Sequence, residues 1–166
     1  MLNGTRSGRQ VSFDDFYRGE YKSVFGAAYL ATGDPEAAAD IAQEAFKRAF
    51  MRWRRLQKET WAGGWVMRTA LNLCKKWGRT KSRTTTTALG EAAGAGASGP
   101  SETRVDIVAA LRQLPNRQRH ATILFYWGDL PLPVIADLMG IAEGTVKAHL
   151  AQARASLRTS LEVADV

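Results

Sequence analysis

The spacing of apolar residues predicts a protein built from helices, because apolar positions recur three and four residues apart along most of the chain. No stretch alternates apolar and polar residues for long enough to predict a useful strand. The clearest helical pattern lies in residues 129–158, where a short helix and a second helix from about Glu143 flank Gly140. A residue without a Cβ adopts a left-handed turn at little cost, so Gly140 predicts a tight turn between them. The apolar positions of the two helices are Ile135, Ala136, Leu138 and Met139, then Val146, Leu150, Ala153 and Leu157.

This pair of helices has the residue spacing of a helix-turn-helix. Ala136 would lie where the helices cross, Gly140 in the turn and Val146 beneath the second helix. The second helix would expose polar side chains suited to a major groove, namely Lys147, His149, Gln152 and Arg154. The alternative is an αα-hairpin that serves only packing. We expect the helix-turn-helix, because the turn, the apolar face and the polar face agree.

Two helices are predicted near the N-terminus. The first would begin after Ser12 and end at Gly33, and the second would take Asp34 as its N-cap and Pro35 as its first residue. The first would bury Phe13, Phe16, Tyr17, Val24, Ala28 and Tyr29, and the second Ala38, Ile41, Ala42, Ala45, Phe46, Ala49 and Phe50. The other side of the second helix carries Asp40, Gln43, Glu44 and Lys47.

Three further helices complete the pattern. Residues 56–64 form a looser stretch with two adjacent glycines, and a helix is predicted from about Trp65 to Trp77. Later in the chain one helix would end at Pro115. Another would cover residues 116–127, with Ile123, Leu124 and Tyr126 inside and Arg117 and Arg119 outside.

Residues 84–101 are small, nearly uncharged and low in complexity, so they predict a flexible linker. The predicted fold class is therefore all-α, with two small helical domains joined by that linker. The domains would cover residues 12–83 and 102–160, and residues 1–11 would be an irregular start.

The amount and distribution of charge predict an anionic partner. The net charge is +7, and residues 46–83 alone hold twelve basic side chains against one acidic side chain. A block of one sign is typical of a surface that follows phosphates. Four of the five tryptophans, Trp53, Trp61, Trp65 and Trp77, fall inside this block. Aromatic and basic side chains together suit unstacked bases, although most tryptophans belong to a core. We expect Trp65 in the core and leave both alternatives open for Trp77.

Other function classes find no support in the sequence. A single cysteine, Cys74, and two histidines far apart predict no disulfide framework and no metal site. We find no nucleophile–base pair and no phosphate loop, and so expect neither an enzyme nor a cofactor. No signal peptide opens the chain, and no window approaches the roughly 18 apolar residues of a membrane span. We therefore expect a cytoplasmic protein without membrane insertion.

Several short motifs, in this order, resemble those of the extracytoplasmic-function (ECF) bacterial sigma factors, which give RNA polymerase its promoter choice. The motifs are Thr32-Gly33-Asp34, Asp40-x-x-Gln43-Glu44-x-Phe46, Leu114-Pro115-x-Arg117-Gln118-Arg119 and Gly144-Thr145-Val146-Lys147. The resemblance covers about residues 12–160. It implies core RNA polymerase and promoter DNA, both duplex and melted, as partners. It also implies an anti-sigma factor that hides the DNA-binding faces.

The resemblance further implies roles for individual residues. Those matching the surface that docks on the polymerase are Asp40, Gln43, Glu44, Lys47 and Arg48. Those matching the minus-ten surface are Lys58 and Trp61, in the loop that captures a flipped base, and Asn72, Lys75, Lys76, Trp77 and Arg79 on the third helix. Those matching the minus-thirty-five surface are Thr145, Lys147, Ala148, His149, Ala151 and Gln152. Arg117 and Arg119 match the preceding helix, where phosphate contact and structural pairing are both open.

The chain also departs from the family pattern. Lys76 stands near a common acidic position, and His149 and Gln152 stand where arginines are common, so base choice should differ. Pro131 and Pro133 remove a capping box at the start of the helix-turn-helix, but a first helical turn tolerates proline. No long extension follows Arg158, so we expect no added sensor domain.

Two other functions remain as alternatives. A stand-alone helix-turn-helix regulator would bind duplex DNA unaided and would need dimerisation and a palindromic site. The basic and aromatic block counts against it, because that block suits single strands better than an operator. A two-domain RNA-binding protein has less support. Dependence of DNA binding on the polymerase distinguishes the sigma factor from both.

Overall fold

The computed structural model describes residues 11–85 and 102–164, with side chains over residues 11–80 and 106–163. Within these ranges the regular structure is entirely helical. The helices are α1 (Phe13–Thr32), α2 (Pro35–Met51), α3 (Trp53–Leu56), α4 (Ala62–Thr85), α5 (Glu102–Gln113), α6 (Asn116–Thr122), a π-helical turn (Ile123–Trp127), α7 (Leu132–Met139) and α8 (Glu143–Ala164). The all-α prediction is confirmed.

The first half of the fold is a bundle of α1, α2 and α4, with the short α3 as a corner. The local signals act as predicted at the first junction. The Ser12 hydroxyl accepts a hydrogen bond from the Asp15 N–H, and the Asp34 carboxylate accepts from the N–H groups of Glu36 and Ala37. Gly33 ends α1 in a left-handed conformation with φ of 69°. These caps satisfy backbone groups that the helix ends leave free, and so fix where α1 stops and α2 starts.

The second half packs α5, α6 and α7 around α8. The helix-turn-helix forms as predicted. Helices α7 and α8 flank Gly140, which has a φ of 65°, and Val146 and Leu150 are buried on the inner face of α8. Pro131 and Pro133 lie at the start of α7, whose N-cap makes no side-chain hydrogen bond. The first turn of α7 needs few backbone donors, so the prolines leave the helix intact.

The two halves pack against each other and share a hydrophobic core. One cluster of buried side chains runs from Val24 and Phe46 in the first half to Leu124, Ile135 and Val146 in the second. Helix α1 contacts α5 and the π-helical turn, and α4 contacts α6 and α7. Apolar patterning predicted most of the residues that face inward, but it gave no indication that the halves would close on each other.

Several predicted boundaries and orientations are wrong. Helix α4 runs from Ala62 to Thr85, so the two adjacent glycines of residues 56–64 lie in its first turn and the end of the predicted third helix was too early. Phe50, predicted to face inward, is 62% exposed. Of the predicted linker, Thr84 and Thr85 belong to α4, and residues 86–101 lie outside the described residues, as do residues 1–10 of the predicted irregular start.

Tyr126 was also predicted inside and is 57% exposed. The reason is the π-helical turn, in which the Gly128 N–H donates to the Ile123 carbonyl oxygen, five residues earlier. Such a turn holds more residues than an α-helical turn, so side chains within and after it rotate away from the face that a 3.6-residue period predicts. The turn therefore sends Tyr126 outward.

Candidate polymerase and nucleic-acid interfaces

The five residues predicted to dock on the polymerase form one stripe on α2, which we call the α2 polar stripe: Asp40, Gln43, Glu44, Lys47 and Arg48. Their spacing of three and four residues puts them on one face. Asp40, Gln43 and Lys47 are exposed, whereas the opposite face of α2 is buried in the core. Two contacts fix the stripe: the Gln43 amide donates to the Tyr17 hydroxyl at 2.8 Å, and Arg48 pairs with Glu44 at 2.9 Å.

The basic and aromatic block forms a cavity of about 700 Å³, which we call the α3–α4 cavity. On the first half it is lined by Arg52, Arg55, Leu56, Glu59, Thr60, Trp61 and Trp65, and on the second half by Val134, Asp137 and Leu138. The Arg52 guanidinium lies 5.6 Å from the centroid of the Trp65 ring, which is half-buried against the core. Two indoles beside two guanidinium groups are the side chains that hold unstacked bases and their phosphates.

The remaining minus-ten residues lie along α4 or in the loop before it. Asn72, Lys75, Lys76 and Arg79 share a face of α4, with Lys76 and Arg79 exposed. Trp77 is half-buried and packs against the core. Lys58 is exposed in the loop and does not line the α3–α4 cavity. The structure thus brings together Trp61 and two arginines that the sequence argument had not assigned to this site, Arg52 and Arg55.

Most of the predicted minus-thirty-five residues on α8 are exposed and therefore accessible to a DNA groove. Thr145, Lys147, Ala148, Ala151 and Gln152 are exposed, and the buried face of α8 is Val146, Leu150 and Ala153. The Gln118 amide of α6 donates to Gln152 Oε1 at 3.0 Å and so orients that side chain. His149 is half-buried, and its buried Nδ1 has no hydrogen-bond partner among the described residues. His149 therefore offers less of its ring to a groove than the helical spacing suggested.

The two arginines of α6 have different surroundings. Arg117 is exposed. The Arg119 guanidinium donates to the carbonyl oxygens of Leu111, Arg112 and Leu114 at 2.8, 2.6 and 2.7 Å. These carbonyls belong to the C-terminal end of α5, where a helix leaves acceptors unpaired. Arg119 thus makes the structural pairing, the second of the two alternatives that the sequence left open.

Buried titratable groups lie where α6 meets α4. Burial, with Lys75, Arg119, Arg68 and Arg117 nearby, lowers the pKa of His120 to about 4. Burial raises the pKa of Cys74 to about 12, so its thiol stays protonated at neutral pH. Among the described residues, no group of His, Cys, Asp and Glu is arranged to hold a metal ion. None of the helices in the described ranges is long and apolar enough to cross a membrane.

Family models match both halves of this fold. Sigma-70 region 2 matches residues 16–84, and sigma-70 region 4 matches residues 104–157. The chain belongs to the sigma-70 family. Sigma factors of this family are transcription initiation factors rather than catalytic enzymes. The region 2 match contains the α2 polar stripe and the first-half lining of the α3–α4 cavity, and the region 4 match contains the helix-turn-helix.

Relatives of this sigma factor are of the ECF type. It is 26% identical over 161 residues to RNA polymerase sigma-E factor of Streptomyces coelicolor, covering 96% of this chain and 91% of that protein. It is 28% identical to ECF sigma factor SigM of Mycobacterium tuberculosis, covering 95% and 81%. It superimposes on sigma factor RpoE of Bartonella quintana, solved with the anti-sigma factor NepR, with a TM-score of 0.74 at 21% identity, covering 91% and 97%. The predicted family is confirmed, and a sigma factor is supported over a stand-alone regulator.

Sequence reasoning missed the tertiary partners of the site residues. Tyr17 holds Gln43, Gln118 holds Gln152, and α7 supplies Val134, Asp137 and Leu138 to the α3–α4 cavity. No signal in the local pattern could have identified them, because each partner is at least 26 residues away in the chain or belongs to the other half.

Proposed function

We propose that this ECF sigma factor uses three separate surfaces in one cycle of promoter recognition. The α2 polar stripe docks on core RNA polymerase. Helix α8 then reads duplex DNA at the minus-thirty-five element. The α3–α4 cavity and the basic face of α4 hold unpaired bases of the minus-ten element and so nucleate melting. Because polymerase and promoter are both cytoplasmic, the protein acts there.

The observation that carries this proposal is the presence of two kinds of nucleic-acid surface on one chain. The α3–α4 cavity combines Trp61 and Trp65 with Arg52 and Arg55, a composition that suits a single strand. Helix α8 exposes Lys147 and Gln152 on a helix-turn-helix, a geometry that suits a duplex. A stand-alone regulator needs the second surface but not the first, whereas promoter opening needs both.

The α2 polar stripe supplies the surface for the polymerase. It carries two acidic residues followed by two basic ones, and Gln43, Glu44 and Arg48 are held by hydrogen bonds, so little side-chain freedom is lost on binding. Charge complementarity of this kind mainly sets partner choice and the association rate. We therefore assign Asp40, Gln43, Glu44, Lys47 and Arg48 to polymerase docking.

We also propose an anti-sigma factor as a partner. RpoE of Bartonella quintana was solved with the anti-sigma factor NepR, and CnrH with the cytosolic domain of CnrY. The exposed DNA-binding face of α8 and the basic face of α4 are the surfaces that such a protein would cover. Its binding should compete with promoter DNA.

Run-off transcription with core polymerase on a library of genomic promoter fragments tests the function. Discrete transcripts that need this protein are expected, and aligning them would define both promoter elements. The Q43A/E44A double variant should lose these transcripts, and E162A, an exposed acid at the far end of α8, should retain them. No transcripts, together with tight duplex binding by the protein alone, would support the stand-alone regulator instead.

A further inference from the structure

The α3–α4 cavity takes its lining from both halves of the chain. The first half supplies the two indoles of Trp61 and Trp65 together with two arginines, and α7 supplies Val134, Asp137 and Leu138. The volume of about 700 Å³ falls within the range of roughly 300–1,000 Å³ that small-molecule sites in proteins have. The cavity of the free protein is therefore large enough for a ligand the size of a nucleotide.

The charges of the cavity lining balance. Arg52 and Arg55 supply two positive groups, and Glu59 and Asp137 supply two negative ones. Within residues 11–80 and 106–163, neither arginine forms an ion pair with a carboxylate, so both guanidinium groups keep donors for a ligand. A site for anions alone would contain basic groups alone. This balanced lining instead suits a ligand that carries an anionic group at one end and hydrogen-bond donors at the other.

The indoles of the cavity are available to a planar ligand. Trp53, which lies outside the cavity, packs against Phe13 and Phe16 with ring centroids 5.4 and 4.8 Å apart. Trp61 makes no such ring contact with any aromatic side chain in the described part of the chain. An indole that does not stack within the protein can stack on a base. A planar base that carries a phosphate is a nucleotide, and it matches both the indole and the arginines.

Asp137 favours one base over the others. It is exposed on α7, in the other half of the chain from Arg52 and Arg55, whereas Glu59 lies in the same half as the arginines. A nucleotide that spans the cavity from the arginines to Asp137 presents the edge of its base to the carboxylate. A carboxylate has two acceptor oxygens and no donor. Guanine offers two adjacent donors on its Watson–Crick edge, N1–H and N2–H₂, whereas adenine offers one donor beside an acceptor. Guanine is therefore the matching base.

We propose that the α3–α4 cavity of the free sigma factor is a binding site for a guanosine phosphate. The phosphate binds Arg52 and Arg55, the base stacks on Trp61, and its Watson–Crick edge donates to Asp137. The consequence for transcription rests on the proposed function, which assigns the same cavity to unpaired bases of the minus-ten element. The nucleotide and the melted strand then compete, so promoter opening responds to the concentration of the nucleotide.

Isothermal titration calorimetry of the full-length protein with GDP, ADP and inorganic pyrophosphate tests the site. GDP should bind about tenfold more tightly than ADP, because ADP cannot give the carboxylate two hydrogen bonds. Pyrophosphate, which has no base to stack, should bind more weakly than either nucleotide. Thermal unfolding without a nucleotide checks that each variant described below is folded.

Three variants test the roles of individual side chains. R55A should weaken GDP binding about tenfold through the loss of a charge-assisted hydrogen bond. R54A is the matched control, because this neighbouring arginine is exposed and does not line the cavity. D137N should reduce GDP binding to the level of ADP and leave ADP binding unchanged, whereas a merely structural role of Asp137 would weaken the binding of both nucleotides.

Several outcomes would overturn the proposal. They are equal affinities of the wild type for GDP and ADP, equal affinities of R55A and R54A for GDP, and equal losses of GDP and ADP binding in D137N. A single-stranded DNA trinucleotide with a central guanine distinguishes a free nucleotide from a base within a strand. Tighter binding of the trinucleotide than of GDP would reject a free-nucleotide site.

The proposed function and this site can fail separately. Titration needs neither polymerase nor promoter, so a lack of GDP binding would reject the nucleotide site while protein-dependent transcripts could still appear in the run-off experiment. Conversely, GDP binding by a protein that yields no transcripts would reject the proposed function and retain the site.

Discussion

The guanidinium of Arg119 donates a 2.7 Å hydrogen bond to the carbonyl oxygen of Leu114, and two further bonds reach Leu111 and Arg112. One side chain of α6 therefore satisfies three acceptors at the end of α5. Only a planar fork with several donors can do this, so lysine is not an equivalent.

R119A should lower the free energy of unfolding by about 2–4 kcal/mol, because it leaves partly buried carbonyls without donors. R119K should recover only part of this loss. R117A, which removes an exposed neighbour, should leave stability nearly unchanged. Urea unfolding of the three variants measures the differences, and equal stability of R119A and R117A would contradict the structural role.

Low pH should reduce the free energy of unfolding, because His120 binds a proton more readily in the unfolded chain than in the folded protein. Its pKa in the folded protein is lowered to about 4 from the ordinary value of 6.5, by burial and by Lys75, Arg119, Arg68 and Arg117. Between these values the unfolded chain binds a proton that the folded protein does not, so stability falls as the pH falls from about 6.5 to about 4. Above 6.5 both states are neutral and the effect disappears. From pH 7.5 to 5.5 the loss should be about 1 kcal/mol.

H120N should remove this component of the pH dependence. The comparison needs urea unfolding of wild type and variant at both pH values, because carboxylates contribute their own slope to each. The difference between the two slopes isolates His120. Parallel slopes would show that the imidazole is not held neutral in the folded protein.

Gln152 should contribute to base choice, and Gln118 should support it. The 3.0 Å hydrogen bond from Gln118 orients Gln152 on the exposed face of α8. Q152A should relax the preference at one base pair of the minus-thirty-five element. Q118A should weaken promoter binding only a few-fold, at about 1 kcal/mol for one hydrogen bond, with the same preferred base. Transcription from promoters carrying each base at each position measures this, and an unchanged preference in Q152A would exclude its role.

Two glycines of the helix-turn-helix should respond to alanine in opposite directions. Gly140 has a φ of 65°, and Gly144 lies in the first turn of α8; an added Cβ at either would meet nothing within 4 Å. G140A should cost about 1 kcal/mol of stability because the left-handed conformation is strained for alanine. G144A should gain up to about 1 kcal/mol of helix propensity. Thermal unfolding distinguishes them, and a stabilising G140A would contradict the turn geometry.

The sequence predicted local features that depend on nearest neighbours. Asp34 and Pro35 start α2, Gly140 turns between α7 and α8, and Val146 and Leu150 point inward, all from residue type and a 3.6-residue spacing. The same spacing failed at Tyr126, because the extra residue of the π-helical turn shifts the register in a way that no local propensity marks. It failed again at Phe50, where a helix end projects beyond the core.

The residues of the candidate site likewise fall into two groups, those that the sequence identified and those that only the tertiary structure revealed. Residues of the α2 polar stripe could be named because one helix presents them all, and the family motifs fix their positions. The sequence did not identify Arg52 and Arg55, which line the α3–α4 cavity because α3 turns the chain between α2 and α4. For Arg119, the sequence allowed both phosphate contact and structural pairing, and its three carbonyl partners became visible only with α5 in place.

By itself, then, the sequence determined most of the helices, the caps between α1 and α2, the helix-turn-helix and the sigma-factor family, since these follow from short-range periodicity and motif order. The tertiary structure alone decided that the halves close on each other. That choice depends on Trp127 meeting Gly26 and Ser23, residues about one hundred positions away, and on shape complementarity at glycines whose role is invisible until two helices touch. Periodicity reports which face of a helix is apolar, but not which other surface will cover it.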